Sequence, residues 1–368
     1  MFRGVIFNRD KLVRRGPSGA RRWLEVRPGA PSAVLVYDPR FLDHVASPFH
    51  VERPDRLRSI VSHLEAAGLF TGVEQAPPAT RREVKRVHQD SYLEHFENLD
   101  EGLLDPETAV HPGTFDLALL AAGAVLHGTR SAAGNGRPTV SLVRPPGHHA
   151  GPDYGGGFCY LNNVAIAAAD QVAEGRRVAI LDYDAHHGNG TRDIFAGFAS
   201  VLYVSTHEYG IFPGTGPVED VGTGEGRGFT VNIPFSAGCG DTSYLAAYDR
   251  VVEPIVEQFR PDVVLVSLGV DAHYRDPITS LVLSSPGYVE LLSRSAALAA
   301  RLCGSRLALA LEGGYHLDAL GEVITGVVGR LRGQTTRLVL SENLDDNVRG
   351  RPAIEATIQA HRPFWNLR

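Results

Sequence analysis

Residues 178–190 read Val-Ala-Ile-Leu-Asp-Tyr-Asp-Ala-His-His-Gly-Asn-Gly, and this stretch decides the fold class. Its first part is a short apolar run, which is typical of a strand buried on both faces of a parallel sheet. Its second part places two aspartates and two histidines directly after that run. In open α/β sheets, ligands bind beyond the carboxyl ends of the strands. The stretch therefore predicts a buried parallel strand that delivers polar side chains to a ligand site.

Similar apolar runs recur along the chain and alternate with longer stretches of helical spacing. The predicted strands are Ala33–Tyr37, Thr139–Val143, Val178–Tyr183, Val201–Ser205, Phe229–Ile233, Val263–Leu268 and Leu307–Leu311. The predicted helices are Phe115–Ala133, Leu161–Ala173, Tyr244–Phe259 and Tyr288–Cys303. This alternation predicts an α/β fold with a single doubly wound, mostly parallel sheet flanked by helices. No repeat or linker divides the chain after residue 30, so we predict one domain over residues 31–368.

The composition is that of an ordinary globular protein. The 368 residues are 43% hydrophobic and 21% charged, with a net charge of −6. The apolar runs fall far short of the roughly 20 residues that span a bilayer, which argues against a membrane protein. Three cysteines cannot build a disulfide framework in a chain of this length, and no secretory pattern opens the sequence. These features predict a cytoplasmic protein.

Residues 1–30 differ from the rest of the chain in charge. They carry eight arginines or lysines against Asp10 and Glu25, so this segment is basic and the remainder is strongly acidic. An Arg-rich start is found in mitochondrial transit peptides and in segments that bind nucleic acid. The low serine content and the absence of a clean amphipathic period favour a basic N-terminal extension that packs on the body or on a partner subunit. The acidic body predicts no general nucleic-acid binding.

Polar residues at four predicted strand ends indicate a metal site. Asp184 and His186 are two residues apart, so in extended chain their side chains point to the same side. A third ligand such as Asp271, from another strand end, would complete a three-ligand site that leaves one position open for water. A catalytic zinc needs such a site, although two histidines and a carboxylate are its commoner ligand set. The alternative is a helix-capping carboxylate with solvated histidines. Two aspartates and two histidines beside a buried strand are costly without a cation, which favours the metal.

Two further motifs carry acid–base chemistry. Residues 144–149 read Arg-Pro-Pro-Gly-His-His, and one of the imidazoles of His148 and His149 is suited to act as general base on a metal-bound water. Adjacent histidines on their own are more often structural or exposed. Tyr315 follows two glycines, and its hydroxyl is placed to donate to a developing oxyanion, unless it is simply a turn aromatic.

Taken together and in this order, these motifs closely resemble the zinc-dependent histone deacetylase family of the arginase–deacetylase fold. The matching segments are 37–41 (YDPRF), 50–54 (HVERP), 144–150 (RPPGHHA), 157–163 (GFCYLNN), 182–190 (DYDAHHGNG), 212–216 (FPGTG), 271–273 (DAH), 276–277 (DP) and 312–315 (EGGY). Asn189 and the Pro-Pro-Gly before the histidines are similar to the class II and bacterial amidohydrolase members, a group that includes acetylpolyamine amidohydrolases. The arginase branch is disfavoured, because its binuclear manganese site needs further bridging aspartates. The tail after residue 334 carries no family motif, and we assign it only packing or assembly.

The resemblance implies a role for each residue of the site. The zinc ligands would be Asp184, His186 and Asp271. The catalytic groups would be His149 as principal general base and acid, His148 as electrostatic partner of the metal-bound water, Asp182 orienting His148, Asn189 behind His149, and Tyr315 polarising the scissile carbonyl.

The resemblance also implies substrate and potassium contacts. Phe158 and Phe212 would form the walls of an acyl-lysine tunnel, with the Gly157 carbonyl facing the substrate amide, and Arg56 would line an internal cavity for acetate release. A structural potassium ion would be held by the Ser205 hydroxyl and by the backbone carbonyls of Asp182, Asp184, His186 and Thr206.

The function expected from these residues is zinc-dependent hydrolysis of N-acyl amides, above all deacetylation of acyl-lysine side chains with release of acetate. The alternatives are an acetylpolyamine or other small-molecule amidohydrolase, and a catalytically silent acyl-lysine-binding module. Intact His149 and Tyr315 argue against the silent module. Ile278, which resembles the family's gatekeeper position, is apolar and favours a peptide over a polyamine. Asp105 and Glu107 could supply rim carboxylates, bond the backbone of a bound peptide or simply be solvated. No nucleic-acid or membrane partner is expected, and homo-oligomerisation stays open.

Overall fold

The computed structural model describes residues 33–47, 49–345 and 349–368. The basic extension predicted over residues 1–30 lies outside the described residues. The described part is built on one eight-stranded parallel sheet with the order β2-β1-β5-β10-β9-β6-β7-β8. Its strands are β1 (Val34–Val36), β2 (Val73–Glu74), β5 (Thr139–Ser141), β6 (Val178–Asp182), β7 (Val201–Glu208), β8 (Thr230–Phe235), β9 (Val263–Leu268) and β10 (Leu307–Leu311). The prediction of a mostly parallel sheet is confirmed.

Two strands stand apart from this sheet. β3 (Gly102–Asp105) and β4 (Thr108–Val110) form an antiparallel hairpin, which the sequence analysis did not predict. Its strands are only four and three residues long, which is too short to show a clear period of two.

Helices cover the large sheet. They are α1 (Asp55–Ala66), α2 (Arg81–Val84), α3 (Asp90–Glu97), α4 (Thr114–Asn135), α5 (Asn163–Ala173), α6 (Asn189–Phe195), α7 (Asp241–Ala247), α8 (Glu253–Phe259), α9 (Ser285–Cys303), α10 (Leu317–Leu331) and α11 (Arg351–His361). One group pairs α4 with α5, and a second group packs α1 on α10 and α10 on α9. Because helices cover them, every residue of β6, β9 and β10 is buried. No helix in the described ranges is both long enough and apolar enough to cross a membrane.

The central strands match their predicted bounds better than the outer elements do. β9 and β10 begin and end at the predicted residues, because their apolar runs are buried throughout. β7 continues past Ser205 to Glu208, where it still pairs with β8. The helix predicted over residues 244–259 is interrupted at Tyr248–Val252 by a π-helical turn, which separates α7 from α8.

The parallel arrangement places the carboxyl ends of four neighbouring strands together. Asp182 at the end of β6 is in register with Ser205 of β7 and Ser267 of β9. Leu311 at the end of β10 is in register with Leu268 of β9. The segments that follow these strands therefore enter the same edge of the sheet, as the strand-end motifs predict.

The tail after residue 334 also packs on this core. Ile354 and Ile358 of α11 are buried, and the Thr357 hydroxyl donates to the Asn232 carbonyl of β8 at 2.9 Å.

Candidate active site

Asp184, His186 and Asp271 converge at the carboxyl edge of the sheet. His186 Nδ1 lies 3.1 Å from Asp184 Oδ1 and 3.0 Å from Asp271 Oδ2. β6 ends at Asp182, so the predicted extended-chain alternation is wrong here. The side chains meet instead in a bend, where the His186 backbone N–H donates to Asp184 Oδ1 at 2.9 Å.

The remaining carboxylate oxygens of the two aspartates are held by backbone groups. Gly313 N–H donates to Asp184 Oδ2 at 2.8 Å, and Ala185 N–H donates to Asp271 Oδ1 at 2.8 Å. One oxygen of each aspartate therefore faces the His186 ring while the other is anchored. The anchors come from the segment after β10 and from the bend itself, so the ligand geometry depends on contacts between distant strands.

These three residues fit a divalent metal ion. Their potential ligand atoms all lie within 4.8 Å of one another, and both carboxylates are almost fully buried. Burial and the nearby Asp184 charge raise the pKa of Asp271 to about 7, which shows how unfavourable the second buried negative charge is without a cation. Ligand atoms that share one tetrahedral zinc with bonds of about 2.0–2.2 Å lie about 3.3–3.6 Å apart, so the separations of 3.0 and 3.1 Å seen here need only a small expansion to hold the ion. One imidazole and two carboxylates also suit zinc chemically.

His148 and His149 lie beside this group, with ring centroids 4.0 Å apart. His148 Nδ1 lies 3.2 Å from Asp182 Oδ2, and its Nε2 lies 3.7 Å from Asp184 Oδ1. His149 Nδ1 lies 2.7 Å from Asn189 Oδ1. Both side-chain pairs expected behind the histidines are thus in contact.

The two imidazoles have opposite protonation preferences. Although burial disfavours a charged ring, the carboxylates of Asp184 and Asp182 raise the pKa of His148 to about 10. Burial and the neighbouring rings of His148 and His186 hold the pKa of His149 well below its usual value. At neutral pH, His148 is therefore charged and His149 is neutral, which suits an electrostatic partner and a base respectively.

Tyr315 is held beside the site by its backbone. Its N–H donates to Asp276 Oδ2 at 2.8 Å, and the Ile278 N–H donates to the other oxygen of that carboxylate at 3.1 Å. Burial raises the pKa of Tyr315 well above its usual value, so its hydroxyl stays protonated and able to donate. The Arg56 guanidinium lies 5.0 Å from the centre of the Tyr315 ring.

Arg56 belongs to a buried ion cluster that sequence reasoning found only in part. Its Nη1 donates to Glu52 at 3.0 Å and its Nε donates to the Gly314 carbonyl at 2.7 Å. Arg144 makes a two-pronged pair with the same Glu52 carboxylate. Although burial opposes ionisation, the Arg144 and Arg56 charges hold the pKa of Glu52 well below its usual range. The cluster ties the loop before α1 to the segments on both sides of the site.

Glu312 is a second buried carboxylate that sequence reasoning did not assign a role. Its Oε2 accepts the backbone N–H groups of Gly147 at 2.6 Å and of His148 at 3.2 Å. Burial raises the pKa of Glu312 to about 7. The available signal was a glutamate directly after the apolar run of β10. Glu312 holds the backbone of the histidine pair in place.

The two phenylalanines predicted to form the walls of an acyl tunnel each lie beside a ring of this site. The Phe212 ring is 5.0 Å from the His149 ring, and the Phe158 ring is 6.0 Å from the Tyr315 ring, both edge to face. Gly157 and Phe158 have positive φ angles of 55° and 70°. A side chain at position 157 would come within 2.6 Å of the His149 ring, so only glycine fits there.

The hairpin of β3 and β4 supports this wall. Asp105 Oδ2 accepts the Gly157 N–H at 2.7 Å, and the Thr108 hydroxyl accepts the Phe158 N–H at 2.9 Å. Asp105, expected as a rim carboxylate, thus binds the backbone of Gly157. The Gly157 carbonyl accepts a weak hydrogen bond from the Cys159 thiol at 3.4 Å.

Two of the residues expected to bind potassium, Ser205 and Thr206, lie on β7 beside the end of β6, where the other three lie. Ser205 Oγ lies 2.9 Å from His207 Nδ1, and the Thr206 hydroxyl donates to the Asp182 carbonyl at 3.4 Å. The potassium site itself stays a prediction.

Comparisons with known proteins place this geometry in context. Residues 50–331 match the histone deacetylase domain family. The chain is 40% identical over 308 residues to a probable deacetylase of Archaeoglobus fulgidus, across 81% of this chain and 86% of that protein. It is 38% identical over 277 residues to a histone deacetylase-like amidohydrolase of Pseudomonas aeruginosa, across 72% of each chain. Its fold is similar to the crystal structure of the HDA15 HD domain, with a TM-score of 0.83, 34% identity, and coverage of 91% of this chain and 95% of that one.

Proposed function

The chain belongs to the histone deacetylase family, and from this premise we propose that it hydrolyses N-acyl amides, above all acyl-lysine side chains, with zinc held by Asp184, His186 and Asp271. The observation that carries the proposal is the meeting of these three ligands with the imidazoles of His148 and His149, which are held by Asp182 and Asn189, at one edge of the sheet. When bound there, zinc supplies Lewis-acid polarisation of the amide carbonyl and of a water.

His149 is suited to move the proton. The Asn189 Oδ1 atom can only accept a hydrogen bond, so His149 Nδ1 carries the hydrogen and Nε2 keeps a lone pair. Nε2 takes a proton as water adds to the carbonyl carbon. The resulting imidazolium returns that proton to the departing amine as the C–N bond breaks, leaving the free acid and the free amine.

His148 and Tyr315 stabilise the charges that arise in this step. The positive charge of His148, held by Asp182, offsets the negative charge of the buried carboxylates. The Tyr315 hydroxyl donates to the oxygen that becomes negative when water adds. Both groups are positioned before the reaction by hydrogen bonds to Asp182 and Asp276.

The tunnel mouth supports a peptide substrate over a polyamine. Phe212 is 45% exposed, and the partly buried Ile278 adds a second apolar side chain on the loop tied to Tyr315. The backbone N–H groups of Gly157 and Glu107 already engage both oxygens of Asp105, which leaves this carboxylate less free to bind a distant ammonium group. Selecting a multiply charged amine would need such a free carboxylate.

A side-by-side kinetic assay tests this assignment. We expect the zinc-loaded protein to hydrolyse an acetyl-lysine peptide with a higher kcat/KM than acetylputrescine or acetylspermidine, and His149→Ala serves as the inactive control. A tenfold preference for the polyamines, about 1.4 kcal/mol in the transition state, would overturn the lysine assignment. Failure to hydrolyse any of the three would overturn hydrolysis of acetylated amines.

The metal assignment has its own test. Asp271→Asn removes one of the three ligands, so we expect zinc content and activity to fall together. Loss of a residue that only hydrogen-bonds a metal ligand typically lowers metal affinity or activity about 10–100-fold, and loss of a ligand itself should cost at least as much. Elemental analysis after dialysis measures the zinc. Asp318→Asn, an exposed aspartate of α10, is the matched control. Unchanged zinc in Asp271→Asn would remove that residue from the site.

A further inference from the structure

A chain of hydrogen bonds runs from His149 towards the protein surface. His149 Nδ1 lies 2.7 Å from Asn189 Oδ1, and Asn189 Nδ2 donates to the Tyr154 hydroxyl at 3.0 Å. That hydroxyl in turn donates to Asp193 Oδ2 at 2.6 Å. The base is therefore connected through a neutral amide and a phenol to a carboxylate at the surface.

Contacts to the neighbouring backbone fix the position of Tyr154 in this hydrogen-bond chain. The Gly151 N–H donates to the Tyr154 carbonyl at 2.9 Å, and a Cβ added at Gly151 would lie only 2.2 Å from the Tyr154 ring. The ring thus packs against the backbone that follows His149. Asp193 is itself held by Arg192 at 3.0 Å. Burial, together with the Asp193 charge, raises the pKa of Tyr154 above its usual value, so the phenol keeps its hydrogen.

The direction of these bonds determines how Asn189 is oriented. An asparagine offers an acceptor on one side and a donor on the other, and only its oxygen supports a hydrogen on His149 Nδ1. Because the phenol hydrogen is directed to Asp193, the Tyr154 oxygen accepts, and the amide nitrogen must face it. The amide oxygen is then left for His149, which keeps the lone pair on Nε2.

We propose that Tyr154, anchored by Asp193, is a positioning residue that orients the Asn189 amide and thereby holds His149 in the form that acts as a base. The inference rests on the proposed hydrolysis for its kinetic test. It assigns to Tyr154 and Asp193 a part in the reaction although neither side chain contacts the three proposed zinc ligands.

A double-mutant cycle separates this role from a general structural one. In Tyr154→Phe, we expect kcat for an acetyl-lysine peptide to fall about 10-fold, the lower end of effects seen when a supporting partner is lost, with KM changed less than about twofold. Asn189→Asp gives the side chain an acceptor oxygen towards both His149 and Tyr154, so His149 Nδ1 finds an acceptor whichever way the side chain is turned. In that background, Tyr154→Phe should change kcat by less than about twofold. Asp153→Asn, an exposed neighbouring charge outside the chain of bonds, is the control and should match the wild type.

Two results would overturn the inference. One is a Tyr154→Phe protein with the kcat of the wild type, and the other is an equal loss in both backgrounds, which indicates a structural effect.

Crystal structures of the wild type and Tyr154→Phe add a readout that is independent of turnover. We expect the contact between His149 Nδ1 and Asn189 Oδ1 to lengthen beyond 3.5 Å or to split into two conformers, and an unchanged contact near 2.7 Å would contradict the inference. If the wild type hydrolyses no acyl amide, the proposed function fails, while this comparison still decides the role of Tyr154.

Discussion

Tyr315 illustrates how single residues of the site are positioned through their backbone and ring, which leaves the reactive group free. Its backbone N–H is fixed by Asp276, and the Arg56 guanidinium approaches its ring, but the hydroxyl itself makes no hydrogen bond among the described residues. The phenol is therefore positioned while its hydroxyl stays available to donate a hydrogen bond. That is what a donor to a transient oxyanion requires, because it pairs only when the negative charge develops.

Removing the hydroxyl oxygen of Tyr315 tests this role. Tyr315→Phe should lower kcat by roughly 10²–10³-fold while zinc content and thermal stability stay near wild type, because only the oxyanion donor is lost. Steady-state kinetics, elemental analysis and thermal melting measure the three quantities. Tyr209→Phe, which removes the hydroxyl of an exposed tyrosine, is the matched control. A Tyr315→Phe protein with near-normal kcat would reduce Tyr315 to a turn residue.

At the scale of elements, the β3–β4 hairpin supports residues 157–158, the proposed wall of the acyl tunnel. Phe158 adopts a left-handed backbone conformation, which costs a residue with a side chain about 1–2 kcal/mol. The hydrogen bonds from Gly157 to Asp105 and from Phe158 to Thr108 oppose that cost. A charged acceptor contributes about 1.5–3 kcal/mol to such a bond, so Asp105 is the stronger support.

Asp105→Ala should therefore raise KM for an acetyl-lysine peptide about 10-fold, because the loop that carries Phe158 loses its anchor. The free-energy change, about 1.4 kcal/mol, is of the order of one charge-assisted hydrogen bond. Glu107→Ala removes an exposed carboxylate of the same hairpin and is expected to leave KM unchanged.

The two interpretations of Asp105 differ in which substrate has the higher KM after Asp105→Ala. An anchor affects an acetyl-lysine peptide and acetylspermidine alike, since both need the same wall. A rim carboxylate that recognises ammonium groups affects the polyamine far more. A loss confined to acetylspermidine would show that Asp105 acts on the substrate rather than on the tunnel.

On the scale of the whole molecule, several histidines are buried in the neutral form. Burial lowers the pKa values of His44, His88 and His361 to about 4. His361 of α11 is fully buried, and neither of its ring nitrogens has a hydrogen-bond partner among the described residues. The unfolded chain binds a proton at these rings near pH 6.5, whereas the folded chain does so only near pH 4. Each such ring therefore lowers the free energy of unfolding as the pH falls through that window.

His361→Leu should raise the free energy of unfolding by about 1–3 kcal/mol at pH 7, because it removes unpaired buried polar atoms. The advantage over the wild type should grow between about pH 6.5 and pH 4, by up to about 1.4 kcal/mol per pH unit. Urea denaturation at pH 7, 6 and 5 measures it, with the exposed His95→Leu as control. A variant that is less stable than the wild type at pH 7 would mean that the imidazole makes a favourable polar contact.

The sequence alone determined the parallel sheet and the set of histidine and carboxylate side chains at its carboxyl edge. The bounds of β9 and β10 and the conjunction of Asp184, His186 and Asp271 followed from local patterns, because a buried strand must be apolar and metal ligands must be His or carboxylate. The same patterns missed β2 and the β3–β4 hairpin, whose strands of two to four residues are too short to show a clear apolar pattern.

The tertiary structure alone decided what supports those groups. Gly157 meets Asp105 across 52 residues of sequence, Arg144 meets Glu52 across 92, and Gly147 meets Glu312 across 165. Local spacing specifies which face a side chain lies on within one element, but not which backbone N–H group a distant carboxylate will reach. That partner is set only when the parallel strands align and bring their following loops to one edge, where each buried charge and each backbone donor must find its complement.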